Sequence, residues 1–489
     1  MQLRALLAAA DDVSVSGPLD VEIGSIAAVP ERIEPGFLFA ALPDIRRSGV
    51  GAIPAALAGG AVAVLAPSGV HVAMPPTVPL LNAANPHRAV ARLSALLVGH
   101  RQPETVVAVT GTCGKTSTVT FARELWSRLG LRAASLGTDG LVSPAWSCAP
   151  GLTTPPPFEL HPALARLEGL GVSHLALEAS SHGLAQHRID QVRLTAAVFT
   201  NLSRDHLDYH GTMEAYFAAK LRLFTELLPA GAPAVIHADS AQAGAVAAIA
   251  ERRGYRLIRT GHMGAEIRLR ERHDEGLGQI LDLDLFGRRA RLRVPIRGAF
   301  QAQNLLGAIG VAIGAGSDSD RVLAAAEQMR GVPGRIEHVA TTPSGAEVYI
   351  DFSHKPGALE AVLTELRPRA QGRLVLVFGC EGATDPGRRS AMGRIAAHHA
   401  DRVIVTDDNP RREDPASIRA EIMREVPHAM EIADRAEAIR VAIHDLRDGD
   451  VLLIAGKGRQ CTQIIAGVIH PFDNDAVAQE AVMALSQRP

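Results

Sequence analysis

The stretch Val106-Val107-Ala108-Val109-Thr110-Gly111-Thr112-Cys113-Gly114-Lys115-Thr116-Ser117 passes from apolar residues through two glycines to Lys-Thr-Ser. Its apolar start predicts a buried strand, the two glycines a tight loop, and the residues from about Ser117 a helix. A strand that feeds such a loop and then a helix aims backbone N–H groups and a helix dipole at one point, which suits phosphate oxygens. Lys115 can neutralise the β- and γ-phosphates of a nucleotide while the Thr116 hydroxyl reaches a magnesium ion. Val109 stands where the first glycine of the common G-x-x-x-x-G-K-[ST] pattern would be, so the loop is a shortened variant. Its binding set is Gly111, Thr112, Gly114, Lys115, Thr116 and Ser117. The plainer alternative, a surface Gly-Lys-Thr turn, does not account for the strand and helix on either side.

Around this loop the chain runs to 489 residues, too many for one ordinary core, and the length favours about three domains. With 47% hydrophobic and 21% charged residues it has a globular composition, and the formal net charge of -2 provides no global attraction to nucleic acid or an anionic membrane. Cys113, Cys148, Cys380 and Cys461 are scattered, with neither a zinc spacing nor a disulfide framework, which suits a reducing cytoplasm. The apolar run at 5–10 is too short for a signal sequence or a membrane span.

Alternating strand-like and helical runs predict an α/β chain throughout. Residues 85–98 read as a helix, and His100-Arg101-Gln102-Pro103 breaks the pattern before the strand at 105–109. Strands at 174–177 and 196–199 follow, and Gly331-Val332-Pro333-Gly334 interrupts what reads as a helical segment. Apolar strands at 347–350, 373–378, 402–405 and 451–454 then predict a buried parallel, Rossmann-like sheet. The expected organisation is a small N-terminal α/β domain at 1–102, a central ATP-binding P-loop domain at 103–332 and a C-terminal Rossmann-like domain at 333–489.

The most specific stretches are Glu178-Ala179-Ser180-Ser181-His182-Gly183-Leu184-Ala185-Gln186-His187-Arg188, then Phe199-Thr200-Asn201-Leu202-Ser203-Arg204-Asp205-His206-Leu207-Asp208-Tyr209-His210-Gly211, then Ala219-Lys220. Together they closely resemble the Mur ligases, and within them the MurE group. The resemblance covers nearly the whole chain and fades at the N-terminus. It implies a ligase that adds an amino acid, commonly meso-diaminopimelate, to UDP-N-acetylmuramoyl-L-alanyl-D-glutamate. On that resemblance Lys115, Glu178, His206 and Lys220 are the catalytic set, and Thr116, Glu178, His206 and a carbamylated Lys220 hold magnesium. The position of Glu178 at the end of one apolar run, and of His206 after another, fits this, because ligands gather at the carboxyl ends of parallel strands. Asn304, Arg335, Asp351 and His354 match further nucleotide positions.

The same resemblance assigns Thr153, Thr154, Ser180, Gln186 and Arg188 to the acyl substrate, and Arg389, Asp408, Asn409, Arg411, Gly456 and Gln460 to the amino acid. Arg389 and Arg411 are expected to hold a second carboxylate; the plainer reading pairs them with acids such as Asp385 and Asp414. Several positions depart from the family pattern. Its Gly-Lys-Gly-His-Glu reads Gly456-Lys457-Gly458-Arg459-Gln460, so an amide stands where an acid meets the distal ammonium. Its Gly-Cys-Gly-Gly-Asp-Arg-Asp reads Gly379-Cys380-Glu381-Gly382-Ala383-Thr384-Asp385, and Asp-Tyr-Ala-His reads Asp351-Phe352-Ser353-His354. In the first domain Val29-Pro30-Glu31 replaces Asp-Ser-Arg, and Ser48-Gly49-Val50 replaces Asp-Gly-His, which removes polar groups for UDP.

The chemistry implied is activation of a carboxylate by ATP as an acyl phosphate, followed by attack of an amine, with water excluded by domain closure about hinges near 103 and 333. The partners are small molecules, with neither nucleic acid nor membrane among them. A MurE-type ligase is the first expectation, and a MurE-derived ligase diverted to another donor or amino acid stays open beside it. A non-catalytic nucleotide-binding protein is disfavoured by the joint presence of Lys115, Glu178, His206 and Lys220.

Overall fold

The computed structural model describes residues 1–10, 12–43, 49–383 and 387–486, so Ser48, Thr384 and Asp385 lie outside the described residues. The described chain forms two compact units: residues 1–271, 282–292 and 303–327 make the first, and residues 272–281, 293–302 and 328–489 the second.

The first unit carries two sheets with separate cores. The smaller, in spatial order Val13–Ser16, Leu80–Ala83, Ala63–Pro67, Phe37–Ala40 and Ser25–Ala27, is parallel except at its Val13–Ser16 edge. Leu38, Leu65 and Leu81 pack one face and Phe39, Val64 and Ala66 the other, so alternate residues of each strand serve opposite cores.

In the larger sheet Thr105–Thr110 lies between His174–Glu178 and Ala196–Phe199, both parallel to it. The register sets Val109 opposite Glu178 and Thr110 opposite Phe199, which brings the carboxyl ends of the three strands to one edge. Every residue of Thr105–Thr110 is buried, as a strand covered on both faces requires. The helix after the glycine loop is Lys115–Arg128, beginning two residues before the expected Ser117. Gly114, at φ +86°, takes the capping position in a left-handed conformation natural to glycine, which lets the helix start at once.

Three further strands, Ile267–Glu275, Gly278–Leu285 and Arg288–Val294, are rich in polar residues and do not stand out as apolar runs. Their signal was there: burial alternates along the whole of Gly278–Leu285 with a period of two. The Gly331-Val332-Pro333-Gly334 segment follows the helix Ser319–Ala326 and leads into a strand, Glu337–Thr341, rather than interrupting a helix.

The second unit is built on a six-stranded sheet in the order Glu337–Thr341, Glu347–Ile350, Val451–Ile454, Leu374–Phe378, Arg402–Val405 and Met430–Glu431. All neighbours are parallel except the first pair. Leu374, Leu376 and Phe378 face one core while Val375 and Val377 face another, the doubly wound arrangement expected from its apolar runs. Among the described residues no helix is long and apolar enough to cross a membrane.

Candidate nucleotide and ligation site

In the first unit the loop from Gly111 to Gly114 is fixed from beneath by the segment after strand Ala196–Phe199. The Thr112 N–H donates to the Asn201 carbonyl at 2.9 Å, the Cys113 N–H to Asn201 Oδ1 at 3.0 Å, and the Thr200 hydroxyl to the Cys113 carbonyl at 2.7 Å. Gly111 has φ +148°, and a Cβ there would run into Thr200 Oγ1; one on Gly114 would run into Asn304 Oδ1. The glycines are therefore required by contact as well as by backbone angle, and Asn304 is brought to the loop. Thr116 and Ser117 are buried in the first turn of the helix.

Two amines meet at this loop. Lys115 Nζ donates to the carbonyls of Gly111 and Thr112 at 2.9 and 3.0 Å, and Lys220 Nζ donates to the same Gly111 carbonyl at 2.8 Å. Lys220 is only 1% exposed, with its ammonium 4.4 Å from the centre of the Tyr216 ring. An ammonium at such depth is cut off from the hydration that water would give it.

Glu178, 1% exposed, ends its strand beside the loop. Its Oε1 accepts from the Thr138 N–H at 2.8 Å and its Oε2 from the Thr138 hydroxyl at 3.2 Å. From there a polar network continues outward. Thr138 Oγ1 lies 3.1 Å from Thr153 Oγ1, the Thr154 hydroxyl donates to the Glu178 carbonyl at 2.7 Å, and the Ser180 N–H donates to Thr154 Oγ1 at 3.0 Å. Arg188 donates to the Thr154 carbonyl at 2.7 Å and to Gln186 Oε1 at 2.7 Å, and Gln186 Nε2 donates to the Tyr209 hydroxyl at 3.1 Å. Thr153, Thr154, Ser180, Gln186 and Arg188 thus form one connected patch next to Glu178.

His206 sits at φ +52°, with Nε2 3.2 Å from Asp205 Oδ2. Its ring meets that of His182 edge-on at 4.8 Å, and His182 lies 4.2 Å from Tyr209. Burial, then the charge of Arg188, lowers the His182 pKa, while burial and neighbouring His182 and Lys220 bring His210 down to about 4. Both imidazoles are therefore neutral near pH 7.

In the second unit Asp351 accepts from the Ile336 and Ser353 N–H groups at 2.7 and 2.6 Å, and burial raises its pKa. The Arg335 guanidinium stacks 4.3 Å over the Phe352 ring. The His354 Nδ1–H donates to the Phe352 carbonyl at 2.8 Å, and burial holds this imidazole down at about 4.

The amino-acid set is divided. Lys457, fully buried, donates to Asp408 Oδ1 at 3.2 Å and Asn409 Oδ1 at 2.8 Å. Asn409 Nδ2 in turn donates to Glu381 Oε1 at 3.0 Å, and Arg411 lies 3.4 Å from Glu381 Oε2. A Cβ on Gly456 would come within 2.8 Å of Asp408 Oδ2. Gln460 is exposed. Arg389, 2% exposed, donates to both oxygens of Glu413 at 2.7 and 2.8 Å and to Glu421 at 3.2 Å. Asp414, by contrast, caps the helix Pro415–Met423, and Asp385 lies outside the described residues. The two arginines therefore meet Glu413, Glu421 and Glu381, acids that the sequence reading did not single out. Thr138, Tyr209, Tyr216 and Lys457 join these networks from distant chain segments that meet in space, which spacing along the chain does not show.

Residues 109–312 match the Mur ligase middle domain, and residues 334–458 the Mur ligase glutamate ligase domain. The UDP-N-acetylmuramoyl-L-alanyl-D-glutamate--2,6-diaminopimelate ligase of Caulobacter vibrioides is 47% identical over 469 residues, covering 95% of this chain and 96% of its own. The enzyme of that name from Bradyrhizobium diazoefficiens is 47% identical over 485 residues, 98% of each chain. Among solved structures, a UDP-N-acetylmuramoyl-L-alanyl-D-glutamate--2,6-diaminopimelate ligase superposes with a TM-score of 0.68 at 30% identity over all of both chains. MurF from Acinetobacter baumannii, 19% identical, shares the fold with a TM-score of 0.65 over 100% of this chain and 99% of its own. The chain belongs to the Mur ligase family.

Proposed function

We propose that this protein is an ATP-dependent ligase that couples 2,6-diaminopimelate to the glutamate carboxyl of UDP-N-acetylmuramoyl-L-alanyl-D-glutamate. Domains at 1–102, 103–332 and 333–489 would take the acyl donor, ATP and the amino acid respectively. The observation that carries the reading is the convergence of Lys115 and Lys220 on one loop carbonyl, with the buried carboxylate of Glu178 at the neighbouring strand end. A nucleotide phosphate chain lying on the loop would draw the Lys115 ammonium off its own backbone and receive its charge.

The donor set suits a magnesium ion: Glu178 offers carboxylate oxygen, Thr116 a hydroxyl and His206 an imidazole, with Lys220 as an oxygen donor once carbamylated. Magnesium supplies positive charge against the converging phosphate and carboxylate oxygens. The remaining work belongs to the chain. Arg188, held against Gln186 and Thr154, positions the carboxylate of the donor. One carboxylate oxygen attacks the γ-phosphorus and ADP leaves; the amine then attacks the acyl carbon and phosphate departs with that oxygen. Arg335 stabilises the phosphate charge during transfer.

Val29-Pro30-Glu31 and Gln460 keep a second reading in view, a ligase of the same mechanism with another donor or amino acid. Phosphate release measured with ATP, this donor and diaminopimelate decides between them. The proposed function requires release that depends on all three. Release with other donor and amino-acid pairs but not with these would support the second reading, and ATP hydrolysis indifferent to both would defeat ligation altogether.

A further inference from the structure

Two ion pairs lie in the amino-acid region of the second unit, and they differ in kind. Arg389 is closed off: its side chain is 2% exposed and two of its contacts with Glu413 are 2.7 and 2.8 Å, the lengths of tight charge-assisted hydrogen bonds. Such a guanidinium has its counter-charge already and serves the architecture of its helix. The pair of Arg411 and Glu381 is looser and more accessible: their side chains are 45% and 20% exposed, and 3.4 Å separates them, longer than a tight charge-assisted bond.

The Glu381 carboxylate is nonetheless held in place. Asn409 donates to one of its oxygens, and the other side of Asn409 is locked, because its Oδ1 accepts from Lys457 at 2.8 Å and from the Ile464 N–H at 3.1 Å. Burial alone would raise the Glu381 pKa, but the Asn409 hydrogen bond and the charge of Arg411 hold it below the usual carboxylate range. A fixed carboxylate beside an accessible guanidinium is the complement of a group with a carboxylate and an ammonium on one carbon. Diaminopimelate has such an α-amino-acid group at its far end.

We infer that Glu381 determines amino-acid specificity by taking the distal ammonium of the substrate while Arg411 takes the carboxylate beside it. The inference rests on the proposed amino-acid role of the segment from Asp408 to Arg411. It accounts for Gln460 at the end of the Gly456-to-Gln460 loop, since the acid would come from the loop after strand Leu374–Phe378.

The test compares kcat/KM for meso-diaminopimelate with that for 2-aminopimelate, which lacks the distal amine, in the wild type, Glu381→Gln and Glu381→Asp. In the wild type diaminopimelate is preferred. Glu381→Gln should reduce that preference by about tenfold to a hundredfold, the usual worth of a charged hydrogen bond, and Glu381→Asp should restore part of it. The ATP KM, read in the same assays, reports an intact protein. An unchanged preference in Glu381→Gln, including an equal loss on both amino acids, would overturn the inference and leave Glu381 as a support for Arg411. Absence of wild-type turnover with either amino acid would instead defeat the underlying assignment of substrate, and this inference with it.

Discussion

Lys115 and Lys220 donate to the same oxygen, the Gly111 carbonyl, at 2.9 and 2.8 Å. Two ammonium groups that share one acceptor repel each other, and the repulsion is strong where one is almost wholly buried. Carbamylation of Lys220 by carbon dioxide would replace one positive charge with a negative one and turn repulsion into attraction.

The first prediction follows. Enzyme prepared with 13C-labelled bicarbonate should show a carbamate carbon signal that is absent from Lys220→Ala, and that variant should lose about a hundredfold or more in kcat, on the scale of a preorganised charge at a transferring group. Full activity in protein whose Lys220 is unmodified would rule the carbamate out.

A second concerns Gly111. A methyl group at this position meets Thr200 Oγ1, and its φ of +148° is one that L side chains rarely adopt. Gly111→Ala should therefore displace the loop and weaken ATP binding by at least about tenfold, comparable to the loss of one or two hydrogen bonds. Calorimetric titration giving wild-type affinity would show that the loop does not cradle the nucleotide.

A third concerns Asp190, which holds the Lys220 helix in place. Arg222, two residues beyond Lys220, donates to both Asp190 oxygens at 2.7 Å, and His187, between Gln186 and Arg188, donates to Asp190 Oδ2 at 2.9 Å. Asn85 Nδ2 in turn donates to His187 Nε2 at 3.0 Å. Burial would raise the Asp190 pKa, yet the hydrogen bonds from His187 and Arg222 outweigh it and the net shift is downward. A folded-state pKa below the unfolded value gives stability that is fully present above the unfolded pKa of about 3.9 and lost as pH falls through the folded one. Asp190→Ala should cost about 2 kcal/mol at pH 7, because it takes away the carboxylate that accepts from Arg222 Nη2 and leaves that guanidinium with Glu226 and the Leu184 carbonyl, and the difference from wild type should shrink below about pH 4. Denaturant unfolding at the two pH values checks this; an equal gap at both would contradict the linkage.

Much of this was legible in the residues. The strands at Thr105–Thr110 and Leu374–Phe378 are continuous apolar runs, and such runs read plainly because sheets covered on both faces leave no room for polar residues. The loop glycines read plainly too, since a tight turn from strand to helix calls for them, although their contacts with Thr200 and Asn304 do not show in the sequence. Gly278–Leu285 was missed because its alternating pattern is weaker per residue than an apolar run. What the sequence could not reveal is pairing across distance: Thr138 under Glu178, Glu413 on Arg389 and Lys457 behind Asn409 are pairs 40, 24 and 48 residues apart. Spacing rules stop at the ends of a helix or strand, and only folding brings such partners together.

The central claim is that a carboxylate is activated by phosphoryl transfer before the amine attacks. It is tested most directly with UDP-N-acetylmuramoyl-L-alanyl-D-glutamate carrying 18O in the reacting carboxyl group, by mass analysis of the phosphate released during ligation to diaminopimelate. The mechanism requires one carboxylate oxygen to leave with the phosphate, so the phosphate should carry the label, and Lys115→Ala should release none. Ligation that yields unlabelled phosphate would mean that ATP is cleaved without forming an acyl phosphate, and the account built on Lys115, Glu178 and Lys220 would be wrong.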